Sequence, residues 1–123
     1  MAHILIIEDD KLLRQTLRCT LEQLGYDVTE ACNGKEGLAR QQTVVCDLVI
    51  ADIIMPEIDG IKTIIELKRR VPALKIIAMS GGGMGKAADY LSMARVLGAT
   101  RTLTKPFSAQ ELSALVSEIL QNK

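Results

Sequence analysis

Short apolar runs alternate with helical patterns along the whole chain, and this alternation limits what the chain can fold into. The runs predict strands at residues 4–8, 28–31, 48–51, 75–79 and 100–104. Apolar residues at helical spacing follow each run, and they predict helices from Leu13 to Gly25, at 34–42, from Ile61 to before Pro72, at 87–97 and from Ser108. Five strand–helix units in a row build a parallel sheet with helices on both faces. We therefore predict an α/β fold with a doubly wound, five-stranded parallel sheet.

The length of the chain and its uniform composition along the sequence predict one domain. A chain of 123 residues suits a single domain with a single core. The sequence contains no visible linker, internal repeat, low-complexity tract or second set of apolar runs. We therefore expect residues 1–123 to form one domain, with no output domain attached to it.

Charge and composition argue against several classes of protein. Fifteen basic and fifteen acidic residues give a formal net charge of zero, and aromatic residues make up only 2%. Nucleic-acid binding needs a basic face, and single-strand binding also needs stacking aromatics, so we expect no direct contact with nucleic acid. No run is long enough to span a membrane, the amino terminus lacks a signal pattern, and Cys19, Cys32 and Cys46 form no zinc motif. We expect a cytoplasmic protein with reduced thiols.

Charged side chains follow three of the predicted strands, where open α/β sheets place their chemistry. Asp52 follows the third strand, and Lys105 follows the fifth. Glu8, Asp9 and Asp10 stand at the end of the first strand. Two carboxylates 4 Å apart repel each other by about 4 kcal/mol at an effective dielectric constant near 20, so a cation is the simplest remedy. The pattern predicts a site for a divalent metal ion and a phosphoryl group.

Each of these residues also has a simpler explanation when it is taken alone. Acids at positions 8–10 suit the amino terminus of a helix, which favours negative charge. Asp52 suits a helix cap or a turn, Ser80 suits an ordinary turn, and a lone Lys105 suits an exposed surface. The convergence of these residues on strand ends favours the site over the separate explanations.

Four motifs resemble those of the receiver domain of two-component response regulators. They are Ile6-Ile7-Glu8-Asp9-Asp10, then Asp52-Ile53-Ile54-Met55-Pro56 with Asp59-Gly60, then Met79-Ser80-Gly81, and finally Thr104-Lys105-Pro106-Phe107. They occur in order and at the ends of four predicted strands. The resemblance implies a flavodoxin-like (βα)5 fold with strand order 2-1-3-4-5.

The resemblance also implies a role for each site residue. Asp52 would be the phosphoacceptor, with Ser80 as a hydroxyl switch and Lys105 as the counter-charge of the phosphate. Mg²⁺ would be bound directly by Asp9, Asp52 and the backbone carbonyl of Ile54, and by Glu8 through water. The Lys105–Pro106 bond is more often cis in this family than in proteins at large, where about 5–6% of such bonds are cis.

The predicted function is that of a phospho-accepting signalling protein. No internal histidine is placed to relay a phosphoryl group to Asp52, so the donor must be another protein or a small phosphodonor. The resemblance implies a sensor histidine kinase or a histidine phosphotransfer protein as that partner. The chain would catalyse only its own phosphorylation and dephosphorylation, and otherwise is not an enzyme. Phosphorylation would change the surface formed by the last two predicted helices and the strand between them, and a downstream protein would bind there. The alternative is a phosphorylation-independent interaction module of the same fold.

Two departures from the family pattern concern the switch. Thr102 stands where the family often has an aromatic residue, so coupling by an aromatic swing is in doubt. A glycine-rich run at residues 81–86 is longer than the usual loop, and we expect it to be mobile before phosphorylation. The same region gives a third hypothesis, a small flavin- or nucleotide-binding protein. Residues 83–88 fit GxGxxA, but they follow the fourth strand and no acidic residue stands at the ribose-binding distance.

Overall fold

A computed structural model describes residues 2–53, 60–81 and 98–121, together with Ser92 and Arg95. Its centre is a five-stranded sheet in which all neighbouring strands are parallel. The strands are β1 (His3–Ile7), β2 (Asp27–Ala31), β3 (Leu48–Asp52), β4 (Lys75–Gly81) and β5 (Arg101–Lys105). Their order across the sheet is β2-β1-β3-β4-β5, which confirms the predicted flavodoxin-like arrangement.

Four helices lie in the described part of the chain. They are α1 (Lys11–Gln23), α2 (Gly34–Thr43), α3 (Gly60–Arg70) and the C-terminal helix (Ala109–Gln121). Of the helix predicted at 87–97, the structure describes only Ser92 and Arg95, both as helical, and most of the predicted glycine-rich loop lies outside the described residues. Among the described helices, none is long and apolar enough to cross a lipid bilayer.

Side chains at the helix ends account for where the helices begin and stop. The Asp10 carboxylate caps α1 by accepting from the backbone N–H groups of residues 12 and 13. Ser108 and Glu111 form a capping box: the Ser108 hydroxyl accepts from the Glu111 N–H, and the Glu111 carboxylate accepts from the Ser108 N–H. Gly25 follows α1 with φ near +94°, a conformation that disfavours residues with a Cβ.

Both faces of the sheet are covered, and each carries its own apolar cluster. Alternate residues of β1 divide between them, because successive strand side chains point to opposite faces. Leu5 and Ile7 pack in the cluster beneath α2 and α3, whereas Ile4 and Ile6 pack in the cluster beneath α1 and the C-terminal helix. Each of these side chains is fully buried, which stabilises the fold by about 2–3 kcal/mol per residue relative to exposure.

The strand ends differ slightly from the prediction, and the differences concern the site. β3 includes Asp52, and β4 continues past Met79 through Ser80 to Gly81. The extension follows from pairing, because Asp52 lies opposite Met79 and Gly81 lies opposite Lys105 in neighbouring strands. β1 ends at Ile7, so Glu8 directly follows the strand instead of closing it as predicted.

Candidate functional site

One lysine and two acids meet at the carboxyl edge of the sheet. Asp52 ends β3, Glu8 follows β1, and Lys105 ends β5, so parallel pairing brings the three to the same edge. The Lys105 ammonium donates to Asp52 Oδ2 and to Glu8 Oε1, each at 2.7 Å. The structure thus brings together residues from three separate predicted motifs.

Burial makes the electrostatics of this cluster strong. Glu8 is fully buried and Asp52 is 4% exposed, while the Lys105 side chain is 20% exposed. Burial raises the pKa of Glu8 to about 7 and the Asp52 charge adds to the rise, although hydrogen bonds from Lys105 and the Asp10 N–H oppose it. Burial works against the charge of Lys105, yet its hydrogen bonds to Asp52 and Glu8 keep its pKa above the ordinary value. The single positive charge of Lys105 can balance only one of the two carboxylate charges, so the ionised cluster keeps a net negative charge.

That remaining negative charge is suited to a metal ion. Asp9 is exposed beside the buried pair, and one carboxylate oxygen from each of Glu8, Asp9 and Asp52 lies within 4.8 Å of the others. Carboxylate oxygens are hard ligands of the kind that Mg²⁺ takes, usually one or two of them with waters and phosphate oxygens. The acidic group therefore has the donors to hold a divalent ion. The predicted fourth donor, the Ile54 carbonyl, lies outside the described residues.

Ser80 and the cis bond complete the described part of the edge. Ser80 is fully buried in β4, one residue beyond the partner of Asp52 and opposite Thr104. The Lys105–Pro106 peptide bond is cis, as the resemblance implied. Thr102 lies within β5, at the position where the family often has an aromatic residue.

The backbone around Glu8 is held by groups that the sequence analysis did not identify. The Glu8 N–H donates to the Ala31 carbonyl at 3.0 Å, and the Asp10 N–H donates to Glu8 Oε2 at 3.0 Å. Arg14 Nη1 donates to the Glu8 carbonyl at 2.8 Å. Arg14 stands four residues after Asp10, the cap of α1, and this spacing is the signal in the sequence that could have identified it.

Gly60 belongs to the second of the four motifs, and the structure places it against the backbone of the site. A Cβ at this position would overlap the Asp52 carbonyl oxygen and the Ile53 Cα, both of which are backbone atoms. The Gly60 N–H also donates to the Ile53 carbonyl at 3.1 Å. The first residue of α3 therefore rests directly on the peptide that carries Asp52.

Solved structures and curated proteins of known family resemble this chain over almost its whole length. A response regulator receiver domain protein from Clostridium thermocellum superposes with a TM-score of 0.89 at 31% identity, covering 99% of this chain and 96% of that one. The probable transcriptional regulator ycf27 of Cyanidium caldarium is 35% identical over 97% of this chain and 46% of its own. The DNA-binding dual master transcriptional regulator RpaA of Synechocystis sp. is 32% identical, over 98% and 50%.

These relatives correct one prediction. We expected no direct contact with nucleic acid, and this exclusion is wrong, because the relatives are transcriptional regulators and the name of one says that it binds DNA. The chain spans about half the length of the curated relatives that it matches. The zero net charge of this chain concerns only the segment that it shares with these relatives. It therefore gave no information about DNA binding by the rest of such proteins.

The family model for the response regulator receiver domain matches residues 4–117. The match contains all four motifs, the three acids and the lysine described above. It agrees with the strand order and with the solved structure that shares the fold. This chain therefore belongs to the receiver domains of two-component response regulators.

Proposed function

We propose that the chain accepts a phosphoryl group on Asp52 from a sensor histidine kinase or a histidine phosphotransfer protein. The observation that carries the proposal is the buried Asp52 carboxylate, held 2.7 Å from the Lys105 ammonium and beside two further acids. A carboxylate can act as a nucleophile and form an aspartyl phosphate. Phosphoryl transfer needs this nucleophile, a metal ion and a cation that follows the charge.

The transfer replaces one bond to phosphorus with another. A carboxylate oxygen of Asp52 attacks the phosphorus of the donor phosphohistidine, and the new O–P bond forms as the P–N bond breaks. The electron pair returns to the imidazole nitrogen, which takes a proton from solvent. Lys105 then follows the negative charge from the carboxylate to the phosphoryl oxygens.

Mg²⁺ would be held directly by Asp9, Asp52 and the backbone carbonyl of Ile54, and through water by Glu8. When bound, this ion neutralises phosphoryl oxygens during the transfer. Glu8 and Asp52 orient Lys105 from two sides, so the ammonium is already placed where the new charge develops.

The proposed response begins at Ser80. Its hydroxyl would donate to a phosphoryl oxygen and draw the following segment inward, changing the surface beside β5 and the C-terminal helix. A downstream protein would bind that surface, and the names of the relatives favour transcription control as the class of output. We place the protein in the reducing cytoplasm, where its three cysteines would stay free thiols.

The test is intact-mass spectrometry after incubation with acetyl phosphate. Wild type with Mg²⁺ should gain the mass of one phosphoryl group, and EDTA should prevent the gain. Asp52→Asn should keep the fold and gain nothing, while Asp47→Asn, an exposed acid at the opposite end of β3, should react like wild type. Equal labelling of Asp52→Asn, or labelling in EDTA, would refute the assignment. A wild type that never gains mass would favour the phosphorylation-independent interaction module.

A further inference from the structure

Arg14 connects the acidic segment to the second strand. Its side chain is only 15% exposed, although it lies on a surface helix. Nη1 donates to the Glu8 carbonyl at 2.8 Å, and Nε donates to Glu30 Oε1 on β2 at 3.0 Å. The planar guanidinium holds its donors in a fixed fork, so these two bonds together fix its position.

A hydrogen bond to the Glu8 carbonyl affects the orientation of the next residue, Asp9. It belongs to the peptide unit that leads into Asp9, and a peptide unit is planar. Fixing the direction of this carbonyl therefore fixes the direction in which Asp9 departs. The Asp9 side chain itself is exposed, whereas the preceding residue is fixed through its own N–H bond to Ala31.

We propose that Arg14 is a positioning residue that aims Asp9 at the metal site, with Glu30 holding Arg14 in place. The inference rests on the proposed function, in which Asp9 is a direct ligand of Mg²⁺. Groups that orient a metal ligand from outside the coordination sphere commonly change metal affinity by about 10- to 100-fold when they are removed.

The direction of the change in Mg²⁺ affinity on removal of Arg14 distinguishes a positioning role from an effect of its charge. Arg14 is a cation near the acidic group, so charge alone predicts that its removal strengthens Mg²⁺ binding. Positioning predicts that its removal weakens binding. Arg18 is a matched control, because its Nη1 donates to the other oxygen of Glu30 at 2.7 Å and it carries the same charge.

The experiment is a calorimetric titration of Mg²⁺ into the full chain at fixed ionic strength. Arg14→Met should raise the dissociation constant about tenfold and slow acetyl phosphate labelling, whereas Arg18→Met should leave both near wild type. Arg14→Lys keeps the charge but lacks the fork, so its loss should be close to that of Arg14→Met. Binding by Arg14→Met that is equal to or tighter than that of Arg18→Met would overturn the inference.

A second variant and the behaviour of wild type cover the cases in which Arg14→Met alone would not test the inference. If Arg14→Met does not fold, as judged by circular dichroism, Glu30→Gln weakens the anchor of Arg14 and should give an intermediate loss of Mg²⁺ affinity that Arg18→Met does not show. Wild-type affinity in Glu30→Gln would then overturn the inference. If wild type itself neither binds Mg²⁺ nor gains phosphate, the proposed function fails. If wild type does both and the two arginine variants agree, only the role of Arg14 fails.

Discussion

A single ammonium group organises the charge of this receiver domain. Lys105 donates a hydrogen bond to each of two nearly inaccessible carboxylates, and both contacts measure 2.7 Å. Removing one partner of a buried ion pair leaves an uncompensated charge, which costs more than the pair contributes. Lys105 is therefore expected to matter for the folded state as well as for signalling.

Lys105→Met should lower the free energy of unfolding without metal by about 3 kcal/mol, because Glu8 and Asp52 then face each other unbalanced. Mg²⁺ should restore part of this loss, since the ion replaces the missing charge, and the Mg²⁺-induced stabilisation should exceed that of wild type. Urea unfolding with and without Mg²⁺ measures both quantities. Lys75→Met is the control, because the Lys75 ammonium donates to a backbone carbonyl, that of Ile119. A loss that Mg²⁺ does not reduce would contradict the prediction.

Two contacts near the site join a helix to a neighbouring strand. Glu30 of β2 accepts from two arginines of α1, and Gly60 of α3 rests on the end of β3. Neither contact uses an apolar stripe, although such stripes are what predict a helix from sequence. The two contacts give separate tests.

The ion pair between α1 and β2 should make stability depend on pH. The hydrogen bond from Arg18, and then that from Arg14, lowers the pKa of Glu30 below its usual 4.5. A lowered carboxyl pKa stabilises the folded state above the usual value, and this stabilisation is lost as pH falls through the lowered pKa. Glu30→Gln should therefore cost about 1 kcal/mol at pH 7 and nothing well below pH 4.

Urea unfolding across this pH range measures the difference between Glu30→Gln and wild type. Glu118→Gln is the control, because its pair with Arg101 is about half exposed and should contribute little at any pH. A Glu30→Gln penalty that stays constant down to pH 3 would show that the carboxylate charge is not its cause.

The contact between α3 and β3 should tolerate no side chain. Gly60→Ala places a methyl group against backbone that cannot rotate away, so it should cost about 2–3 kcal/mol and slow phosphorylation at Asp52. Gly37→Ala is a matched variant in α2, where the atoms nearest to the added methyl belong to the side chain of Ile7. Because Ile7 can shift and alanine favours a helix, Gly37→Ala should cost less. Thermal unfolding and acetyl phosphate labelling compare the two, and equal losses would contradict the role given to Gly60.

The sequence predicted much of this architecture but not these contacts. Continuous apolar runs revealed the strands, and the ends of those runs revealed Asp52 and Lys105. The true end of β4 at Gly81 depends on hydrogen bonds to β5, which local composition does not contain. The contacts of Gly60 and Arg14 could not be predicted, because the atoms that these residues touch lie outside their own helices.

For the whole molecule, one sheet separates two apolar clusters and also joins them. Leu67 packs in the cluster on one face and Leu21 packs in the cluster on the other, and both are fully buried. The clusters share strands, since neighbouring residues of β1 belong to different clusters. Loss of either face therefore exposes the backbone that supports the other.

Leu67→Ala and Leu21→Ala should each lower the free energy of unfolding by about 3 kcal/mol, and each should retain a single cooperative transition. Urea unfolding followed by far-ultraviolet circular dichroism measures this, because the chain has no tryptophan. Val45→Ala, at a side chain 90% exposed, should change little. A two-step transition in either leucine variant would show that the faces unfold independently.

The bridge at Lys105 spans nearly the whole polypeptide, since Glu8 lies 97 residues and Asp52 lies 53 residues before it. On the ribosome, both acids emerge long before their counter-charge is made. A nascent or truncated copy thus carries Asp52 and Glu8 without the ammonium group that bridges them. The hydrogen bonds that join the two acids to Lys105 can form only when the fifth strand docks, so we expect a copy that ends before β5 to lack this bridge.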